Sequence, residues 1–129
     1  MAVSKSIAIQ DEGCPVFSIT HLLGQKWTSL VLQEVATNGN SGFNEMQRCM
    51  GNISPKIMSQ RLSTLEKNGI IEKKTYFDKI SLHTSYKLTS KGSDLCEIVL
   101  MLKKWGIKHC SMDPNCERRE CAKCQMYLQ

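Results

Sequence analysis

Residues 43–74, FNEMQRCMGNISPKIMSQRLSTLEKNGIIEKK, contain two helical patterns separated by a tight turn. The first pattern is short and ends at Gly51. In the second, Ser54 is a suitable N-cap, Pro55 suits the first helical position, and the pattern ends near Asn68. A short helix, a tight turn and a second helix form the helix-turn-helix arrangement.

The second of these helices has an apolar side and a polar side. Met58, Leu62 and Leu65 fall on the apolar side. Ser and Gln side chains can reach base edges in the major groove of DNA, Lys and Arg can reach guanine or phosphate, and the positive helix N-terminus also favours phosphate. An ordinary solvated helix face is the alternative for this helix taken alone. The predicted DNA-binding residues here are Ser54, Lys56, Ser59, Gln60, Arg61 on the flank, Ser63 and Lys67.

After Gly69 the chain changes to a β pattern. β-branched and aromatic residues form two runs, within residues 70–88, with a few polar residues between them. The pattern predicts two antiparallel strands joined by a loop. Lys73 and Lys79 of this hairpin would extend the DNA contact to the flanking backbone. A helix-turn-helix followed by a β-hairpin is the winged-helix plan.

Helices flank this unit on both sides. Apolar residues at helical spacing predict two helices before it, the first beginning at Pro15, and one long helix after it, Lys91 to about His109. The predicted fold is mainly α with a small antiparallel β-hairpin, in the winged helix-turn-helix arrangement. We divide the chain into a flexible N-terminus (1–13), a winged-helix DNA-binding domain with dimerisation helices (14–109) and a cysteine-rich tail (110–129).

Length and charge restrict the class of protein. A chain of 129 residues has the length expected of a single domain. It has 17 Lys and Arg against 12 Asp and Glu, a formal charge of +5, which favours a polyanionic partner. No apolar stretch is long enough to span a bilayer and no signal-peptide pattern is visible, so we expect a cytoplasmic protein with no membrane partner.

The last predicted helix carries a long apolar stripe. Its members include Leu95, Ile98, Leu102 and Trp105. This stripe either packs on its own domain or pairs with a second copy of the chain, and we expect it to do both in part. In a homodimer the two DNA-reading helices would lie about 34–36 Å apart, reading half-sites one helical turn apart on near-palindromic double-stranded DNA.

Four strings occur in the order typical of one family: CPVFSITHLLGQKWTSLVLQEV, GFNEMQRCMGNISPKIMSQRLSTLEKNGIIEKK, YKLTSKGSDL and LKKWG. From about Cys14 to His109 the chain resembles the HxlR-type winged helix-turn-helix transcriptional regulators. The resemblance implies a homodimeric, cytoplasmic, DNA-binding regulator whose N-terminal and C-terminal helices make the dimer contacts. Gln25 replaces a family glycine, Gly42 replaces a basic residue, and the wing lacks a proline. The last two departures concern one phosphate contact and the wing geometry, not the fold.

Cys14 precedes Pro15 at a predicted helix N-terminus. The helix dipole there favours the thiolate and makes a thiol more reactive, whereas Asp11 and Glu12 oppose this effect. In the resembled family, a cysteine at the Cys-Pro position senses oxidants or electrophiles in some members. The two interpretations of Cys14 are therefore a redox-sensing thiol and a structural cysteine at the dimer contact.

The tail has four cysteines spaced C-x5-C-x4-C-x2-C, and it lies outside the family resemblance. Four thiolates can complete a tetrahedral zinc site, and they can also hold an iron–sulfur cluster. His109 is a possible substitute ligand. A tail with incidental cysteines is the alternative. The predicted metal ligands are Cys110, Cys116, Cys121 and Cys124.

Two other function classes compete with a DNA-binding regulator. Cys121 and Cys124 form a C-x-x-C pair that a thiol oxidoreductase could use, although the βαβ setting of a thioredoxin-like site is missing from the pattern. A winged helix can also serve as a protein-interaction module. We recognise no Ser-His-Asp array, phosphate-binding glycine loop or paired-carboxylate cleft, so we do not expect an enzyme.

Overall fold

A computed structural model of the chain describes residues 13–110. Residues 1–12 and 111–129 lie outside this description, and so do the predictions for them. The elements in chain order are α1 (Pro15–Gly24), α2 (Thr28–Asn38), a 3-10 turn (Gly39–Ser41), α3 (Phe43–Met50), α4 (Pro55–Lys67), β1 (Ile71–Phe77), β2 (Leu82–Leu88) and α5 (Ser90–His109). They confirm the predicted fold class, which is mainly helical with one antiparallel hairpin. Between residues 13 and 110, no helix is both long enough and apolar enough to cross a bilayer.

The hydrophobic core lies between α2 and the elements that surround it. The three residues predicted for the apolar side of α4, Met58, Leu62 and Leu65, are all buried there. Because α4 packs only this side against the core, its polar side faces outward. The other buried apolar residues are Leu22, Val31, Leu32, Val35, Met46, Met50, Ile53, Ile70, Ile71, Tyr86, Leu95 and Val99.

The turn between α3 and α4 is held by side-chain and backbone contacts. Gln47 donates from Nε2 to the carbonyl oxygen of Ile53 at 3.0 Å, across the turn. Gly51 has a φ of 76°, a left-handed conformation that glycine adopts without the steric cost of a Cβ. Ser54 Oγ accepts the Ile57 N–H at 3.1 Å, which confirms the predicted N-cap. These contacts fix the angle at which α4 leaves the turn.

The end of α4 is tied to the start of α5. The Ile70 N–H donates to the Leu65 carbonyl at 2.9 Å. Thr89 Oγ1 donates to the Gly69 and Ile70 carbonyls at 2.6 and 3.0 Å, and it accepts the Gly92 N–H at 3.0 Å. A Cβ on Gly92 would lie 2.0 Å from the Ile70 carbonyl oxygen, so only glycine fits there. This junction sets where the hairpin starts relative to α4.

The hairpin projects from the body of the domain. Its antiparallel register runs from Ile71 opposite Leu88 to Phe77 opposite Leu82. Ile71 at the base is buried, whereas the remaining residues of β1 are exposed. The base packs closely on the 3-10 turn, since a Cβ on Gly39 would lie 2.1 Å from the Tyr86 carbonyl oxygen. The hairpin therefore has an anchored base and a tip that reaches into solvent.

Candidate nucleic-acid interface

The polar side of α4 is open to solvent. Lys56, Ser59 and Lys67 are exposed, and Gln60 and Ser63 are half-buried. Lys56, Gln60, Ser63 and Lys67 are spaced four, three and four residues apart, so they form one stripe along the helix. We call these five residues the polar face. Ser54, also exposed, stands at the N-terminal end of α4, where helix N–H groups favour an anion.

Arg61 differs from the other predicted DNA contacts on α4. Its Nε donates to the backbone carbonyl oxygen of Lys26 at 2.8 Å, across 35 positions of sequence. The side chain is half-buried and braces the connection between α1 and α2 against α4. Arg61 therefore has a structural role, because it links α4 to the connection between α1 and α2. Its guanidinium retains further donors for phosphate, because only one of its N–H groups makes this bond.

The brace at Arg61 involves a segment that the pattern of residues did not single out. Trp27, at the start of α2, has a φ of 79°, which is rare for a bulky side chain. The Lys26 ammonium lies 5.5 Å from the centroid of the Trp27 ring, within the range of a cation–π contact. Lys26 is exposed and belongs to the same surface region as Arg61, to which its carbonyl is bonded. The Lys26-Trp27 pair, which lies in the first of the family strings, was the available signal for it.

The hairpin adds positive charge beside α4. Lys73 and Lys79 are exposed as predicted, and so are Lys74 and Lys87. Residues 71–88 contain these four lysines and two acids, a formal charge of +2. One lysine charge is partly offset by Glu72, whose carboxylate lies 3.8 Å from the Lys87 ammonium. Only three residues separate Lys67 from β1, so the polar face and the hairpin are joined through a short, hydrogen-bonded connection.

The tip of the hairpin is an ordered turn built around Asp78. One carboxylate oxygen accepts the backbone N–H groups of Ile80 and Ser81, each at 2.8 Å, and the other pairs with the His83 ring. The two backbone donors and then His83 lower the pKa of Asp78 to about 2, so it is ionised at neutral pH. The His83 ring also stacks on Tyr76, with ring centroids 5.2 Å apart. Sequence reasoning placed a loop here but did not identify this turn.

Exposed apolar side chains also lie on α1 and on α5. On α5, Leu95 and Val99 are buried in the core, whereas the apolar residues on the adjoining side of the helix are exposed. The predicted packing of part of the α5 stripe on its own domain is confirmed for Leu95, whereas its pairing with a second copy stays a prediction. We call the exposed set the apolar stripe. It comprises Val16, Phe17, Ile98, Met101, Leu102 and Trp105.

The cysteines fall into two groups. Cys14, at the N-cap of α1, and Cys110, at the C-cap of α5, are exposed free thiols, whereas Cys49 and Cys96 are half-buried. Burial, followed by the charges of Glu34 and Glu45, raises the pKa of Cys49, which makes it a poor nucleophile.

The predicted metal ligands are mostly beyond the described part of the chain. Cys110 is described, and Cys116, Cys121 and Cys124 lie outside residues 13–110. Within that range there is no group of three or more side chains of His, Cys, Asp or Glu that could hold a metal ion.

The fold, the polar face and the basic hairpin can be compared with known families. An HxlR-like helix-turn-helix family model matches residues 22–114, well over half of the chain. The chain belongs to the HxlR-like family. This membership confirms the resemblance inferred from the motif strings, and it identifies the protein as a DNA-binding transcriptional regulator.

Individual relatives of this HxlR-like protein support the same conclusion. The uncharacterized HTH-type transcriptional regulator YybR of Bacillus subtilis is 32% identical over 106 residues, which cover 82% of this chain and 83% of YybR. The B. subtilis regulator YodB, in its reduced form, superposes with a TM-score of 0.66 at 30% identity, covering 78% of this chain and 97% of YodB. The oxidised form of the redox regulator HypR gives 0.65 at 29% identity, covering 77% and 100%. All three proteins are described as regulators.

Proposed function

We propose that this HxlR-like protein acts as a cytoplasmic homodimer that binds a near-palindromic operator, with α4 in the major groove and the hairpin as its wing. One observation carries the proposal: α4 buries its apolar side in the core and leaves its polar face open. A face covered by the protein's own chain could not enter a groove. Lys56 and Lys67 lie at the two ends of this face, where they would meet phosphates, and Gln60 and Ser63 lie between them, where they would meet base edges.

A second copy of the chain is the proposed occupant of the apolar stripe. Phe17 of α1 is 69% exposed and Trp105 of α5 is 62% exposed, although large apolar side chains are normally covered. Several exposed large apolar side chains on the two helices that flank the winged-helix unit are typical of an interface. Pairing through α1 and α5 would cover it and would leave the polar face of each copy free for DNA.

The decisive experiment is selection of bound duplexes from a random pool, with the full chain at physiological salt. We expect one enriched near-palindromic sequence with half-sites one helical turn apart. The matched variant carries Gln60→Ala and Ser63→Ala. It should keep its phosphate-driven affinity while losing the enriched sequence, because these side chains are proposed to read bases rather than phosphate. Equal, weak binding of all duplexes by the unchanged protein would refute the proposal, and a salt-resistant protein complex that ignores DNA would favour an interaction module.

Thiol control at Cys14 is the proposed regulation. Cys14 is exposed at the N-terminus of α1, beside the apolar stripe residues Val16 and Phe17, so its oxidation would alter the proposed dimer contact. Two similar structures bear on this, since HypR is described as a redox regulator and YodB has been studied in a diamide-treated form. Diamide should change operator affinity of the unchanged protein and leave a Cys14→Ser variant unaffected. An equal response in both would exclude Cys14 as the sensor.

We also propose that Cys110, Cys116, Cys121 and Cys124 bind zinc or an iron–sulfur cluster. The donor set supports this, because four thiols occur within residues 110–124 and thiolates are preferred ligands of both groups. Cys110, exposed directly after α5, is accessible for such a role. Protein purified without oxygen should contain about one zinc, or one iron cluster, per chain. A variant with all four cysteines changed to serine should contain none. Metal-free protein with four freely titratable tail thiols would contradict the proposal.

A further inference from the structure

The tip of the hairpin is apolar as well as basic. Of the exposed large apolar side chains in residues 13–110, Ile80 has the largest exposed fraction, 94%, and Phe77 follows with 80%. Tyr76 and Leu82 are each 54% exposed. Four apolar side chains at one projecting tip lose contact with water only if something else covers them.

The strand register explains how this apolar tip arises. Side chains alternate between the two faces of a hairpin, so Phe77 and Leu82, which pair directly, lie on the same face as Ile71 and Leu88 at the base. At the base this face is covered by the core. At the tip it continues past the edge of the domain. Between base and tip this face carries Lys73, Thr75 and Thr84, so Phe77 and Leu82 form a separate apolar pair that the core does not cover.

The tip is also held in a defined shape. Asp78 accepts the N–H groups of Ile80 and Ser81, and the Asp78 N–H donates to the Ser81 carbonyl at 3.1 Å. Lys79 and Ile80 thus form the apex of the turn, with Phe77 immediately behind them. An ordered apex presents its side chains without a large cost in conformational entropy upon binding.

The charges around the tip select DNA as its occupant over a second apolar protein surface. Lys79 stands next to Ile80 at the apex, and Lys73 and Lys74 follow along β1. The Asp78 carboxylate is hydrogen-bonded within the turn by the Ile80 and Ser81 N–H groups and by the His83 ring. A basic rim around an apolar apex suits the minor groove, where phosphates line the edges and base pairs form the floor.

We propose that the wing tip enters the minor groove beside the sequence read by α4 and inserts Ile80, supported by Phe77, against a base step that it partly opens. This inference rests on the proposed function and deepens it. Apolar wedges of this kind unstack one step and bend the duplex, and the cost is smallest at the flexible pyrimidine–purine steps TA and CA/TG. The wing would then select such a step at each flank of the operator without a hydrogen bond to any base.

The test compares two wing variants on the selected operator, labelled at both ends for energy-transfer measurement of bending. Phe77→Ser with Ile80→Ser removes the wedge, and Lys79→Ala is the matched control that removes a charge at the same apex. The wedge variant should bind about tenfold more weakly, should not bend the DNA, and should keep the salt dependence of the unchanged protein. The Lys79 variant should bend DNA normally and lower the slope of log affinity against log salt by about 1.8, because each of the two wings of the dimer loses one phosphate contact.

Replacing the flanking TA or CA/TG step by a stiff A-tract should lower the operator affinity of the unchanged protein and should not change that of the wedge variant. Circular dichroism and thermal unfolding establish that the variants are folded, which is expected because both side chains are exposed.

If the wedge variant binds and bends the operator like the unchanged protein, the inference is wrong while the proposed function stands. If the unchanged protein selects no sequence at all, the proposed function itself fails. A changed oligomeric state with normal DNA bending would assign the tip to a protein contact and would also overturn the inference.

Discussion

At the scale of single residues, the most constrained position is Gly92. It occupies the first turn of α5, where its N–H donates to the Thr89 side chain and its α-carbon lies against the Ile70 carbonyl. Thr89 in turn bonds the Gly69 and Ile70 carbonyls. The string Leu-Thr-x-x-Gly therefore encodes a helix cap and a close backbone approach at once. Both are needed to seat α5 against the end of α4.

Gly92→Ala should lower the free energy of unfolding by about 1–3 kcal/mol, because the added Cβ collides with backbone rather than with a flexible side chain. Urea denaturation measures this loss. Ser93→Ala is the control, since Ser93 is exposed in the same turn and should change the midpoint only slightly. Equal stability of both variants would show that the junction relaxes without cost.

The turn at Asp78 makes a prediction about pH. The bonds from the Ile80 and Ser81 amides are the largest causes that lower its pKa, to about 2 from an ordinary 3.8, and His83 comes after them. A lowered carboxyl pKa means that the contribution of Asp78 to wing order is fully present above 3.8 and is lost as pH falls through about 2. Titration of the Asp78 carboxyl by NMR should show this midpoint. In a His83→Gln variant the midpoint should rise only part of the way toward 3.8. A full return to 3.8 would mean that His83, and not the backbone, is the main cause of the lowered pKa.

At the scale of elements, α4 performs two tasks with its two sides. Met58, Leu62 and Leu65 hold it in the core, and the polar face remains for a ligand. The Ser54 cap and the bond from Gln47 to Ile53 fix its N-terminal end. The helix therefore reaches DNA already oriented, which reduces the entropy lost on binding.

Lys56→Ala should reduce the slope of log affinity against log salt by about 1.8, the effect of one lost phosphate contact in each copy of the dimer, and should weaken all duplexes alike. Lys104→Ala is the charge-matched control, since Lys104 is an exposed lysine on α5, away from the polar face. Binding isotherms at four or five salt concentrations provide the slopes. Equal slopes for both variants would show that Lys56 does not contact a phosphate.

At the scale of the whole molecule, residues 13–110 leave apolar side chains uncovered in two places, and these differ in their surroundings. On α5 the residues of the apolar stripe lie beside Leu95 and Val99 along the helix, and these two are buried in the core. The wing tip is isolated at the end of a basic hairpin. The first is suited to a second copy of the chain and the second to a groove lined by phosphates.

Leu102→Asp should convert the proposed dimer to a monomer, because a carboxylate would be buried without a partner at the interface. Leu102 is 58% exposed in the single chain, so the fold should survive. Sedimentation should report the monomer, and affinity for the full operator should fall about a hundredfold while binding to one half-site remains. Lys104→Glu, on another side of α5, should stay dimeric. A dimeric Leu102→Asp protein would place the interface elsewhere.

Much of the fold could be predicted from local patterns. The boundaries of α3 and α4, the Ser54 cap and the two strands follow from helical and alternating spacing and from the residues that start or stop each element. The outward direction of the polar face followed from the same spacing. Such features depend on neighbours a few positions away, which a sequence displays directly.

The remaining features depend on contacts between distant parts of the chain. Arg61 is hydrogen-bonded to the carbonyl of Lys26, 35 positions away. Its position in the helical pattern alone predicts only a residue on the flank of a DNA-facing helix. The apolar wing tip exists because the core covers the base of the hairpin and ends before Phe77. The sequence by itself determined which elements form and which side of each is apolar. Only the tertiary structure decided which apolar sides remain uncovered, because burial depends on how far the packed elements extend.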